Sequence, residues 1–130
     1  MDYGISTTLD MTVTEALDAV REALADQGFG ILTQIDMAAT LHAKLGVDIP
    51  AQVILGACNP PSAYRALGVE ESIGLLLPCN VVVRAGGDGR TVVEALDPQM
   101  MVEVTGNEAL RPVAEEVGSR LRSALDSLPG

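Results

Sequence analysis

The chain has 130 residues, 48% of them apolar, and its 18 acidic side chains outnumber 8 basic ones to give a net charge of −10. That length fits one domain, residues 1–130, with enough apolar material to hold a core without disulfides or metal. The charge excludes nucleic acid and anionic membrane as expected partners, since phosphate backbones and acidic headgroups are bound by neutralising them with Lys and Arg.

The aliphatic residues supply nearly all of the apolar fraction. Tyr3, Phe29 and Tyr64 are the aromatics and there is no Trp, which leaves few platforms for stacking bases. The opening Met1-Asp2-Tyr3-Gly4 lacks a basic stretch followed by an apolar one, so no secretory leader is expected. No apolar run approaches the ~20 residues that span a bilayer. A soluble, cytoplasmic protein follows, and in that compartment Cys58 and Cys79 are expected as thiols.

Residues 3–9, Tyr-Gly-Ile-Ser-Thr-Thr-Leu, read as a first strand. Thr12-Val-Thr-Glu15 is a capping box. Behind it Val13, Leu17, Val20 and Leu24 recur at helical spacing, and Gly28 supplies the stop. Gly30 to Ile35 is a second strand, and Asp36 caps a short helix over Met37–Leu45 that ends at Gly46. Ala51 to Cys58 is nearly continuous apolar sequence and is expected at the centre of the sheet. Asn59-Pro60-Pro61 stops it, and a short helix covers Ser62–Leu67, ended by Gly68. A compact loop or helical turn fills Val69–Leu77.

Pro78 introduces a fourth strand, Cys79–Arg84. Gly86-Gly87-Asp88-Gly89 has the residues that a hairpin turn needs at positive φ, and Arg90–Leu96 is a fifth strand closed by Asp97-Pro98. At the C-terminal end Val113, Val117, Leu121, Ala124 and Leu128 form an apolar helical stripe, with Pro112 in its first turn. Two long amphipathic helices and mainly antiparallel strands predict an α+β two-layer sandwich: a sheet of four or five strands with the helices on one face.

The cysteines are the sharpest candidates for chemistry. Cys58 ends the third strand and Cys79 begins the fourth, so antiparallel pairing brings both to one end of the sheet. Each is followed by Asn, whose amide could approach a thiolate. A redox pair, a nucleophile or a soft-metal site could use that arrangement; the leading reading is two small buried hydrophobes at strand ends, since no base or basic neighbour is visible beside them. Cys58 and Cys79 are therefore the candidate catalytic residues. No metal or cofactor is assigned. Met37, Met100 and Met101 could join the thiols around copper(I), but read first as core filler.

His42 is the one histidine, expected on the surface of the short helix. Any Cys–His pairing would depend on it. Arg65, Arg84 and Arg90 could gather around an anion. The glycine run at 86–89 is no phosphate loop, since no helix and no Gly-Lys-Ser/Thr ending follows.

Three segments taken together, Ala57-Cys58-Asn59-Pro60, Gly74-Leu-Leu-Leu-Pro-Cys79, and Asp97-Pro98 with Met100 and Met101, resemble the family called domain of unknown function 302 (DUF302). Ile35-Asp36 and Ala39-Thr40-Leu41 extend the likeness over nearly the whole chain. The resemblance implies a TATA-binding-protein-like sheet-and-helix topology and a homodimer. It implies no activity, and likeness to a DNA-binding fold transfers no DNA binding.

Two readings of function follow. The first is a small bacterial-type domain acting as a dimeric binding module for an unidentified small molecule or protein, with a pocket near the Asn59–Pro78 connection. The second is a thiol-dependent enzyme or redox sensor using Cys58 and Cys79.

Overall fold

The computed structural model describes residues 1–129. Five strands, β1 (Gly4–Leu9), β2 (Gly30–Asp36), β3 (Gln52–Cys58), β4 (Cys79–Ala85) and β5 (Thr91–Leu96), form one sheet in the order β1-β5-β4-β3-β2. Every neighbouring pair is antiparallel. The helices are α1 (Val13–Asp26), α2 (Met37–Leu45), α3 (Pro60–Val69), α4 (Gln99–Thr105) and α5 (Arg111–Asp126). The expected α+β two-layer sandwich is present. The middle strand, however, is β4 and not β3, which lies one place toward the β2 edge.

Alternation along the strands sorts the two faces. Val53, Leu55 and Ala57 of β3, Cys79, Val81 and Val83 of β4, and Thr91, Val93 and Ala95 of β5 are buried toward the helices. Facing them are Ala16, Val20 and Leu24 of α1 and Val113, Val117 and Leu121 of α5. The residues between, such as Ile54, Val82, Arg84, Val92, Glu94 and Leu96, are half-buried on the opposite face. Thr91 is the polar residue of the inner set, and its hydroxyl donates to the Met11 carbonyl at 2.7 Å, tying the entry of α1 to β5.

The caps read from sequence are formed. The Glu15 amide donates to the Thr12 hydroxyl oxygen, and the Thr12 amide donates back to the Glu15 carboxylate. Asp36 accepts from the Ala39 amide at 2.9 Å, and Gly46 closes α2 at φ 67°. In the β4–β5 turn Asp88 and Gly89 take the positive φ values.

Three assignments differ. Asn59-Pro60-Pro61 ends β3 but also starts α3: Asn59 is the cap, and the prolines occupy the first turn, where missing amides cost nothing. That helix runs through Gly68 to Val69, and residues Glu71–Leu76 then form a 3-10 turn. The third difference is α4, a helix over a segment for which the sequence predicts no element. Its segment QMMVEVT holds three β-branched residues, so local propensity is poor although Asp97 accepts from the Gln99 amide at 3.0 Å. Burial of Met101 and Val102 and packing against α5 hold it instead.

The regions are not equally anchored. α1 buries four residues and α5 buries seven, whereas α2 buries none and rests on β2 and β3.

Candidate functional site

Cys79 opens β4 opposite Ala57 in the register, and Cys58 is the next residue along β3, opposite Gly30 on its other side. Strict alternation would aim the two thiols at opposite faces. β3 ends at Cys58, however, where the chain turns into α3, and both cysteines border one cavity under that helix. Cys58 and Cys79 thus line one cleft at one end of adjacent strands.

The cavity measures about 20 Å³, close to the space of a single water. Phe29, Ala66, Leu77, Met101 and Val117 supply most of its apolar wall. The pocket expected near the Asn59–Pro78 connection therefore exists, but it is too small for an organic ligand.

Its polar neighbours are already engaged. Asn59 accepts from the Ser62 amide at 3.1 Å and donates to the Gly28 carbonyl at 3.3 Å. The Ser62 hydroxyl accepts from Arg65. The expected gathering of amide side chains around a thiolate does not occur, because Asn59 caps α3 and Asn80 lines a groove elsewhere. Burial pushes the Cys79 thiol from its ordinary 9.0 up to about 11, and the nearby Cys58 adds to the shift. A nucleophilic cysteine needs the opposite shift.

The remaining candidates do not converge on the thiols. His42 lies exposed in the last turn of α2, with Nδ1 2.8 Å from the Asp48 carboxylate. Arg65 pairs with Glu116, whose carboxyl is held below its usual value mainly by that hydrogen bond. Arg84 pairs with Glu94 at 2.9 Å, so two of the three arginines suggested for an anion are already matched. Of Met37, Met100 and Met101, only Met101 reaches the thiol cavity. It does so because α4 carries it there. Gly106, which ends α4 at φ 69°, was the available sign of that helix.

A second concavity, missed from sequence, lies on the sheet face away from the helix layer. It encloses about 270 Å³ between the N-terminal residues and strands β4 and β5. Tyr3, Asn80, Val82, Glu94 and Leu96 line it. The alternation of Asn80, Val82 and Arg84 against Val81 and Val83 carried its signal: a mixed face is what an uncovered sheet surface shows.

The model of the family described as Domain of unknown function DUF302 matches residues 5–128. The chain belongs to the DUF302 family. Among solved structures it is similar to one titled as the crystal structure of an uncharacterized conserved protein DUF302 from Bacillus stearothermophilus. The two share 31% identity with a TM-score of 0.89, over 97% of this chain and 98% of that one. No relative is found among curated proteins. The DUF302 fold here holds no helix among its described residues that is long and apolar enough to cross a membrane.

Proposed function

We propose that this DUF302 chain is a single-domain, cytoplasmic binding module that works as a homodimer, joined through its β2–α2 arm. The observation that carries the reading is the exposure of that arm. Leu32 and Leu45 are 64% and 68% exposed, Ile35 and Val47 lie beside them at 44% and 46%, and α2 buries no residue at all. A nine-residue helix is marginal in water without tertiary packing.

The charge pattern favours a second copy as the occupant. The molecule carries −10, so two copies repel unless they meet on a neutral strip. Residues 30–47 provide one, with Asp36 matched by Lys44, the one lysine of the chain. β2 is also a sheet edge with no charged residue before Asp36, and an edge strand running antiparallel to its own two-fold mate satisfies its free backbone groups. In such a dimer the 270 Å³ groove lined by Tyr3, Val82 and Leu96 is the place for a small, largely apolar ligand. Cys58 and Cys79 stay outside this reading as catalytic residues, because burial raises the Cys79 thiol and no His, Lys or carboxylate lines the cavity they share.

Light scattering at micromolar concentration tests the proposal. Twice the 13.5 kDa chain mass is expected, with the Leu32→Asp/Ile35→Asp variant falling to the monomer while keeping its circular dichroism. A wild-type chain that returns only the monomer mass, or a double variant that stays dimeric, refutes it.

A further inference from the structure

The thiol cavity has a composition that the binding-module reading does not use. Three sulfur-bearing residues line it from three elements: Cys58 from the end of β3, Cys79 from the start of β4 and Met101 from α4. Its volume of about 20 Å³ suits one small body and no more. Water is a poor occupant, since a buried water needs two to four polar partners, and Asn59 and Ser62 are the polar side chains on a wall that is otherwise apolar or sulfur-bearing.

The donor set decides which ion would fit. No Asp, Glu or His lines the cavity, so the oxygen ligands that hold magnesium, calcium or manganese and the imidazoles typical of zinc are missing from its wall. Thiolates with a thioether select soft, low-charge metals. Apolar neighbours such as Phe29, Leu77 and Val117 keep competing water ligands away from the sulfurs. The N-terminal end of α3 follows Cys58 directly, and its partial positive charge favours a thiolate there.

We propose that Cys58, Cys79 and Met101 form a three-sulfur site for one soft monovalent cation of the copper(I) class. Binding exchanges two thiol protons, released to solvent, for one Cu(I). The product is a bis-thiolate complex of net charge −1 with the Met101 thioether as third donor, and no electron is transferred. The site is separate from the β2–α2 arm, so it stands or falls independently of the dimer.

The test is an anaerobic titration of the reduced full chain with Cu(I) held by bicinchoninate. The wild type is expected to withdraw one equivalent per chain, with an ultraviolet thiolate-to-copper absorption that Ag(I) displaces and Zn(II) does not. Cys58→Ser and Cys79→Ser should each abolish withdrawal. Met101→Leu, which conserves volume and so keeps the fold, should weaken it by about an order of magnitude. No withdrawal by the wild type, withdrawal that survives the double cysteine variant, an unchanged Met101→Leu affinity or equal competition by Zn(II) would each overturn the site.

Discussion

Helices α1 and α2 begin alike and end in different physical situations. Each opens on a side chain that accepts a backbone amide, Thr12 in one and Asp36 in the other, and each is followed by a glycine at positive φ. The difference is what they meet. α1 lays Ala16, Val20, Ala23 and Leu24 into the core, while α2 buries nothing. Good local signals therefore specify where a helix starts and stops, and only the apolar stripe decides whether it supports the rest of the molecule.

The largest effects should separate the anchored layer from the arm. Leu121 of α5 is fully buried between the helix layer and the sheet, so Leu121→Ala should cost about 2–5 kcal/mol in urea unfolding. Leu45→Ala on α2 should change the stability of the monomer by no more than about 0.5 kcal/mol. A loss at Leu45 that grows with protein concentration would instead place the residue in the dimer contact. Equal losses at the two leucines in the monomer would erase the distinction.

The same comparison explains what was legible in the sequence. α1 and its capping box could be read because cap, stripe and stop all agree. α4 could not: its β-branched residues argue for a strand, and it exists because Met101 and Val102 find a buried surface beside α5. Pro60 and Pro61 look like pure breakers until Asn59 is recognised as a cap, after which they are first-turn residues. The thiols could be brought together by strand order alone, since Ala57 and Cys79 pair across β3 and β4. Met101 joins them only through tertiary packing, which no local pattern encodes. The uncovered sheet face did leave a trace, in the polar Asn80 and Arg84 that alternate with Val81 and Val83, but nothing local shows that the N-terminal residues make a groove on it.

A middle-sized effect belongs to Cys79. Its thiol sits at about 11 in the fold against an ordinary 9.0, so the unfolded chain gives up this proton first as pH rises. Between those values the unfolded state binds fewer protons, and stability must fall with increasing pH. The contribution is fully present below pH 9.0, is lost progressively toward about 11 and amounts to on the order of 3 kcal/mol. Cys79→Ala should remove that slope when its pH profile is subtracted from the wild type, whatever the other alkaline groups do. Identical profiles would mean that Cys79 is less enclosed than the cavity implies. Alkylation offers a parallel reading: native Cys79 should stay inert at neutral pH while unfolded chain reacts.

The smallest effect is the most discriminating, because it asks the two caps the same question. Thr12→Ala removes the acceptor for the Glu15 amide at the head of a helix whose stripe lies in the core, so about 1 kcal/mol should be lost from global unfolding. Asp36→Ala removes an equivalent acceptor from the Ala39 amide. Since α2 contributes no residue to the core, its fraying need not be coupled to the rest of the molecule. The expected outcome is an unchanged global midpoint for the monomer, together with faster amide hydrogen exchange confined to residues 37–45. If Asp36→Ala lowers the midpoint as far as Thr12→Ala does, α2 is cooperative with the core despite burying nothing. In the proposed dimer the exchange should slow again, because a partner laid along the arm would supply the packing that the monomer withholds from α2.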